Sequence, residues 1–279
     1  MAKLTSIKLR GKNMKFSTIH THTTYSDGKN TARENIESAI EKGMRSIGFS
    51  DHSFTACDPS YCMRLEDYPK YIADLRALGE EYKDRIPVFC GLEKDYYSDI
   101  NKSDFDYVIG SVHYIVRGGV CYPVDHTKEQ QEACARAAFG GSLTDMAKCY
   151  FDMVCEQAST VRPDVIGHFD VITKFSYMPE FEDKYMAVAE DALKECLKWC
   201  NTFEVNTGGI ARGWRKNPYP NLHLLKLLNS LGGRIVLNSD SHKAETLDCA
   251  FPEAIDFIKS AGFTRLHFFD GKDFYAEDV

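Results

Sequence analysis

Residues 16–22 read FSTIHTH, an apolar, strand-like run that ends in two histidines. Similar runs follow along the chain, and helical patterns separate them, with a capping sequence at Thr31-x-x-Glu34 and a stop at Gly43. The predicted strands are Phe16–His22, Ser46–His52, Pro87–Glu93, Tyr107–His113, Val165–Asp170, Phe203–Thr207, Arg234–Asp240 and, with a weaker pattern, Arg265–Phe269. Strands that alternate with helices form parallel β-α-β units, and seven or eight such units predict a closed or nearly closed α/β barrel.

The whole chain fits one barrel domain. It has 279 residues, and no linker, internal repeat or low-complexity tract divides it. We expect the barrel to span residues 15–279, with residues 1–14 as a basic and polar N-terminal extension. The long connection at residues 114–141 carries paired glycines and few strong periodic signals, which predicts a lid or a substrate-facing insertion.

Composition limits the partners of the chain. The formal net charge is −7, so we expect no nucleic-acid partner, because phosphate backbones attract clustered Lys and Arg. No transmembrane run or signal sequence is visible, which predicts a cytoplasmic protein without membrane contact. The ten cysteines form no Cys-x-x-Cys pair and most lie in apolar stretches, which favours small buried side chains in a reducing compartment. The sequence leaves the oligomeric state open.

Six of the nine histidines lie at the ends of predicted strands. A barrel collects the C-terminal ends of its strands at one face, so these side chains are expected to converge. Within a strand, residues two apart point to the same side, which lets His20 and His22 address one centre, and likewise Asp240 and His242. The turn after the first strand returns Asp27 to the same face. Each pattern alone is weak, but together they predict a metal site.

The predicted donors are too many for one ion. Six imidazoles and three carboxylates exceed the three or four ligands that a zinc ion takes, so two or three ions are expected, with a carboxylate as a bridge. Nitrogen and oxygen ligands without thiolate favour divalent transition metals such as Zn, Mn, Fe or Co over Mg and Ca. Neighbouring metals suit hydrolysis at phosphorus, since they activate water and stabilise charge on the phosphoryl oxygens. These features predict a metal-dependent hydrolase with a small phosphorylated substrate.

An ordered series of short motifs resembles the polymerase-and-histidinol-phosphatase (PHP) superfamily, and within it the PHP-type histidinol-phosphatases. The motifs are HTHTTYSDG (residues 20–28), SDH (50–52), GLE (91–93), GSVH (110–113), GHFD (167–170), EVNTGGIAR (204–212) and NSDSH (238–242). They run in order through nearly all of the chain. The resemblance implies a distorted (β/α)7 barrel, a trinuclear metal centre and hydrolysis of L-histidinol phosphate to L-histidinol and phosphate in histidine biosynthesis.

The resemblance also implies a role for each motif residue. The first metal would take His20, His22, Glu93 and Asp240, the second Glu93, His113 and His168, and the third Asp27, His52 and His242. A hydroxide between the first two metals would attack phosphorus. The expected catalytic residues are Glu93 as the bridge and Asp240, which is a candidate for protonating the leaving group alongside the third metal. His52 is a further candidate only if it is not fully committed as a ligand. Asp51 and Asp170 adjoin ligand histidines and would suit their orientation.

The phosphate is expected to meet an arginine, because a guanidinium binds phosphate in a bidentate way. Arg212 follows the sixth strand and is the first candidate, although an extra residue in its motif leaves Arg215 open. Arg64 and Arg117 are weaker candidates. The other histidines, His126, His223 and His267, are expected to be structural or surface residues.

Three other functions stay open at this point. A PHP phosphoesterase could act on a nucleotide or another small phosphate ester. An amidohydrolase also uses a His-x-His strand for C–N hydrolysis, but commonly with a lysine or glutamate bridge where this chain has His113. A non-catalytic metal-binding barrel is disfavoured by the complete set of ligands.

Overall fold

The computed structural model describes residues 7–9, 12–175, 177–179 and 182–279. The strands are β1 Ile7–Leu9, β2 Lys12–Met14, β3 Ser17–Thr18, β4 Ser46–Phe49, β5 Val88–Asp95, β6 Tyr107–Ser111, β7 Tyr114–Arg117, β8 Val120–Pro123, β9 Val165–Ile166, β10 Thr202–Asn206, β11 Arg234–Asn238, β12 Arg265–Phe269 and β13 Phe274–Asp278. The helices are α1 Ala32–Glu41, α2 Tyr68–Tyr82, α3 Lys128–Phe139, α4 Leu143–Thr160, α5 Asp183–Cys196, α6 Gly208–Ala211, α7 Leu222–Ser230 and α8 Phe251–Ser260.

Seven parallel strands form the central sheet in the order β11-β10-β9-β6-β5-β4-β3. Its two edges meet beyond the ends of β3 and β11, where Thr21 forms a parallel bridge with Ser241. The His22 amide donates to the Ser241 carbonyl at 2.9 Å, and the Ile19 amide donates to Oδ1 of Asn238 at 2.8 Å. These contacts nearly close the sheet, so the predicted seven-unit α/β barrel is confirmed.

The sequence signals for the helix ends are confirmed as well. Thr31 caps α1 and Glu34 returns a bond to it, as in a capping box. Ser142 caps α4 by accepting from the Asp145 amide, and a proline stands in the first turn of α8. The buried faces of these helices pack on the outside of the barrel, in one cluster with residues such as Ile47 and Phe203.

A second, smaller cluster fills the barrel on the other face of its strands. It joins Ile19, Tyr107, Ile109 and other strand residues to Phe269 of β12. The Tyr107 hydroxyl donates to the Phe49 carbonyl at 3.0 Å, and its ring lies where a Cβ on residue 91 would stand, 2.2 Å from Cζ. Gly91 is therefore required in β5 by the close approach of this ring.

Three features differ from the sequence-based expectations or extend them. Residues 265–269 form a strand as predicted, but they pair antiparallel with β13 and stay outside the parallel sheet. The connection 114–141 contains the antiparallel hairpin β7–β8 and helix α3. In the predicted extension, β1 pairs with β2, while residues 1–6, 10 and 11 lie outside the described part of the chain.

The cysteines follow the prediction only in part. Cys57 and Cys121 form a disulfide, which the expectation of reduced side chains did not include. The pair joins the segment after β4 to strand β8, so its partners become neighbours only through the tertiary fold, and their spacing in sequence gives no signal. The other eight are free and six of them are buried, as expected of small apolar side chains. Across the described residues, the helices are too short or too polar to span a bilayer.

Candidate active site

All nine predicted metal ligands lie together at the C-terminal ends of the barrel strands. Glu93, near the end of β5, stands at the centre. Its carboxylate oxygens lie 2.7 Å from Nδ1 of His52 and 2.9 Å from Nε2 of His168. The same carboxylate lies 3.3 Å from Nε2 of both His20 and His113. A carboxylate with imidazoles on all sides has the geometry of a bridging ligand.

The donor atoms fall into three overlapping groups, each within 4.8 Å. One group contains His20, His22 and Glu93, in agreement with the ligands expected for the first metal. Asp240 joins it, with Oδ1 at 3.2 Å from Nε2 of His22. The other two groups are His22, Asp27, His52 and His242, and His52, Glu93 and His113.

Several buried donor atoms in the cluster have no hydrogen-bond partner among the described residues. They include Nε2 of His20, Oε2 of Glu93 and Oδ1 of Asp27. A buried polar atom without a partner costs free energy, and divalent cations bound at the donor groups would satisfy these atoms. The absence of thiolate from the donor set suits a transition-metal ion bound by nitrogen and oxygen. The residues therefore fit divalent metal.

Neighbouring carboxylates orient the ligand histidines. Nδ1 of His20 lies 2.6 Å from Oε1 of Glu204, and Nδ1 of His113 lies 3.2 Å from Oδ2 of Asp95. Such contacts fix which ring nitrogen faces the metal. The sequence reasoning assigned no role to Glu204 or Asp95, although a carboxylate inside the buried strand β10 is a signal that could have found Glu204.

Asp51 has a different role from the one expected of it. Its carboxylate accepts from the Thr23 amide at 2.7 Å and from the Ser26 hydroxyl at 2.6 Å. It therefore holds the turn that carries Asp27 instead of contacting a ligand ring. Asp170 accepts from the Asn221 amide at 2.9 Å and so connects the end of β9 to the segment before α7.

The charges in the cluster support ligand-competent carboxylates. Burial alone would raise the pKa of Glu93, but His52, His20 and His113 hold it well below its usual value. Burial likewise opposes ionisation of Asp240, but Arg212 and His20 keep its pKa well below the usual range. For His20, burial would lower the pKa, yet Glu204 and Glu93 raise it well above 6.5. The acidic groups are thus ionised and the histidines face negative charge.

Asp240 is held by an unusual backbone. Its φ is 49°, in the left-handed region that few residues other than glycine adopt. Gly208, at the start of α6, passes so close that a Cβ there would lie 2.7 Å from Oδ2 of Asp240. The same oxygen accepts from Nη2 of Arg212 at 2.9 Å. Strained backbone of this kind is typical of functional sites, and here it aims one carboxylate at both the cluster and Arg212.

A cavity of about 340 Å³ opens over the cluster. Of the four candidate arginines, Arg212 lines it. Arg215 donates to the Thr173 carbonyl at 3.0 Å and stacks on Tyr219. Arg64 is 68% exposed and pairs with Asp67, and Arg117 on the hairpin contacts Sγ of Cys149. The structure thus brings Arg212 to the ligands, whereas Arg215 lies behind the lining residue Tyr219. Arg64 and Arg117 do not line this cavity.

Part of the cavity wall consists of residues that sequence reasoning did not propose. Asp125 and Lys174 both line it, and Nζ of Lys174 lies 3.1 Å from Oδ2 of Asp125. Oδ1 of Asp125 is buried and has no hydrogen-bond partner in the described part of the chain. Tyr61 and Trp214 complete this wall, together with His126, which was expected to be structural or on the surface. These residues come from connections between strands, where spacing gives no signal.

The chain is similar in sequence to proteins of a known family. The profile of the PHP domain family matches residues 18–208, more than half of the chain. The chain belongs to the PHP family. A PHP relative named "Probable histidinol-phosphatase" from Deinococcus radiodurans is 30% identical, over 87% of this chain and 92% of its own length. The histidinol-phosphatase of Lactococcus lactis is 27% identical, over 92% and 96% of the two chains.

A solved PHP structure supports the fold. Histidinol phosphate phosphatase from Lactococcus lactis, complexed with zinc, L-histidinol and phosphate, aligns with a TM-score of 0.71 and 24% identity. The alignment covers 94% of this chain and 99% of that one. The predicted family and the distorted seven-unit barrel are therefore confirmed.

Proposed function

We propose that this PHP protein is a metal-dependent phosphomonoesterase that hydrolyses L-histidinol phosphate to L-histidinol and phosphate. The observation that carries the proposal is the composition of one cavity. Six of the nine metal donors line it together with Arg212 and Asp125, and one carboxylate oxygen of Asp125 has no hydrogen-bond partner among the described residues. Such a cavity suits a substrate that carries a phosphate and an ammonium group. The names of the full-length relatives from Deinococcus radiodurans and Lactococcus lactis support the same substrate.

The three donor groups support a site for two to three divalent ions. Glu93 would bridge the first two, because its carboxylate is within 3.3 Å of ring nitrogens of both His20 and His113. His168 would complete the second site, and Asp27, His52 and His242 the third. Zinc, manganese and iron all suit these ligands, and zinc is the ion in the Lactococcus lactis structure.

Bound ions supply Lewis-acid stabilisation of the phosphoryl oxygens and lower the pKa of water. The chain itself supplies orientation and charge. Arg212 would hold the phosphate, since its guanidinium lines the cavity and is fixed by Oδ2 of Asp240. Asp240, which Arg212 and His20 keep ionised, is better suited to binding metal and holding Arg212 than to giving a proton.

His52 is the better placed of the two candidates for protonating the leaving oxygen. It lines the cavity, and its ring lies between the carboxylates of Glu93 and Asp27. Burial alone would lower the pKa of His52, but these two carboxylates raise it. The ring can therefore give a proton to the leaving oxygen only where it is not held as a ligand by the third ion.

Asp125 would bind the ammonium group of the substrate. Burial would raise the pKa of its carboxyl group, but Lys174, His113 and other nearby cations hold it below its usual value, so the group is charged. One oxygen meets Lys174 and the other is available to a cation in the cavity. Trp214, which is 52% exposed and packs on Phe175, would cover the imidazole ring.

Steady-state phosphate release from a panel of esters tests this function. The panel contains L-histidinol phosphate, nucleoside monophosphates and p-nitrophenyl phosphate, with enzyme loaded separately with Zn, Mn or Fe. We expect kcat/KM for L-histidinol phosphate to exceed the others by at least about 100-fold, since the carboxylate of Asp125 and the guanidinium of Arg212 would match its ammonium and phosphate groups. Preference for a nucleotide would support the other phosphoesterase function, and no release from any ester would exclude a phosphatase.

A further inference from the structure

We propose that the Cys57–Cys121 disulfide is a redox modification site that tightens the cavity over the metal cluster, and that low-molecular-weight thiols or dithiols open it. The bond joins two chain segments that are 64 residues apart in sequence. The proposal rests on the proposed function only for the choice of substrate in one of its tests.

The disulfide connects two walls of the same cavity. Cys57 lies in the Tyr61 loop, defined here as residues 53–63, which directly follows His52. The Tyr61 ring is centred 4.8 Å from the His52 ring and 5.6 Å from the His126 ring. Cys121 lies in β8, four residues before Asp125, and β8 pairs with β7, which begins directly after His113. The disulfide thus links the Tyr61 loop, which follows His52, to the hairpin β7–β8, which follows His113.

The Tyr61 loop is anchored mainly at its ends. The Ser53 amide donates to the Glu93 carbonyl and the Met63 amide to the His52 carbonyl, both at 2.9 Å. At the tip, the bonds of Cys57 and Ser60 go to Thr55 and Asp58 of the loop itself. Across the gap, Tyr61 meets the Tyr114 and His126 rings at 6.2 and 5.6 Å between centroids. Tyr114 also forms a side-chain hydrogen bond with Asp58 at the tip. The disulfide adds a covalent link to these contacts, so its loss would loosen the tip.

The position of the pair suits exchange with a soluble thiol. Cys57 and Cys121 are both half-buried, whereas six of the eight free cysteines are buried. In exchange, a reductant thiolate attacks one sulfur, the Cys57–Cys121 bond breaks, and the released thiolate takes a proton from water. The second thiol of a dithiol then displaces the other cysteine and closes its own disulfide. Two electrons pass from the dithiol to the cysteine pair, and an oxidised disulfide of the same class reverses the reaction.

Reduction should affect substrate binding more than chemistry. The metal donors belong mainly to strand ends and their turns, which the barrel holds without the disulfide. Tyr61, Asp125 and His126 belong to the two linked segments, and these face the leaving group. We therefore expect the KM for L-histidinol phosphate to rise about tenfold on reduction, with kcat changed less than about twofold.

The first test compares metal-loaded enzyme oxidised with diamide and reduced with tris(2-carboxyethyl)phosphine, with metal content checked in both states. Peptide mapping should find the Cys57–Cys121 crosslink only in the oxidised sample. Cys57→Ser and Cys121→Ser should each show the high KM in both states. Cys249→Ser, which removes a half-buried cysteine outside the pair, should keep the full redox response.

The second test does not require activity. Amide hydrogen exchange in the Tyr61 loop should be about tenfold faster in the reduced protein, while exchange in β5 and β10 stays unchanged. Equal exchange and equal KM in the two states, or free thiols at both positions after oxidation, would overturn the redox site. Enzyme that releases no phosphate from L-histidinol phosphate but shows the loop response would instead refute the proposed function alone.

Discussion

Replacing Asp125 by asparagine removes one negative charge from the cavity and preserves the size of the side chain. Its Oδ2 pairs with Lys174 at 3.1 Å, Oδ1 has no partner among the described residues, and the side chain is only 15% exposed. Two unit charges about 4 Å apart interact by about 4 kcal/mol at the effective dielectric constant of such a site. Desolvation of the ammonium group offsets part of this, which leaves about 2–3 kcal/mol. Asp125→Asn should therefore lower kcat/KM for L-histidinol phosphate by about 30- to 150-fold.

The choice of substrate makes this prediction specific. We expect p-nitrophenyl phosphate, which has no ammonium group, to be hydrolysed by Asp125→Asn within about twofold of the parent rate. Asp152→Asn is the matched control, since Asp152 also pairs with a lysine but lies exposed on α4. Initial rates with both substrates measure the effect in metal-loaded protein. An equal loss on both substrates would refute the reasoning, because Asp125 would then act on the metal cluster through its neighbours His113 and His168 and not on the ammonium group.

Three further changes test other parts of the structure. Arg212→Lys should lower kcat/KM about 100-fold for every phosphate ester, because a single ammonium cannot hold both the phosphate and Asp240; a loss confined to L-histidinol phosphate would contradict this. Glu204→Gln should weaken metal binding about 10- to 100-fold in a chelator competition, since Glu204 orients His20; unchanged affinity would show that the contact has no such role. Gly91→Ala should lower the free energy of unfolding by about 1–3 kcal/mol in urea titrations, because its Cβ would enter the Tyr107 ring, and a stability equal to that of the parent would disprove this close approach.

The metal half of the site could be predicted from sequence because strands impose a simple rule. His20, Glu93 and Asp240 are far apart in the chain, but each lies at or near the end of a predicted strand, and parallel strands of a barrel end at one face. The barrel was predictable for a similar reason, since α-helices separate all of its consecutive strands except β5 and β6. The sequence could not show that the β-sheet pairing of β6 and β11 stops before their metal ligands. β6 ends at Ser111 and β11 at Asn238, and the chain beyond them bends toward the cluster, with Asp240 at a φ of 49°.

The residues proposed to bind the leaving group do not lie at strand ends, so strand positions do not predict them. Asp125, Tyr61 and Trp214 lie in connections of different length, and tertiary packing alone brings them together. Arg212 was proposed because its motif follows the sixth strand, and it lines the cavity one short helix after β10. Lys174 was missed because its position matters only through Asp125, which lies 49 residues earlier. The Cys57–Cys121 pair was missed for the same reason.

Because the metal ligands and the proposed leaving-group contacts lie on different parts of the chain, substrate specificity can evolve separately from metal binding. Under the proposed function, the barrel fixes the donors that would act on the phosphate, and the connection at residues 114–141 together with the Tyr61 loop would meet the rest of the substrate. Changes in those connections can therefore alter the leaving group that is accepted without moving a metal ligand. Exchange of the hairpin β7–β8 and the residues up to His126 for those of another PHP phosphatase should shift substrate preference, while metal content and hydrolysis of p-nitrophenyl phosphate are retained. Loss of bound metal in such a chimera would show instead that the hairpin supports the cluster, through His113 at its base.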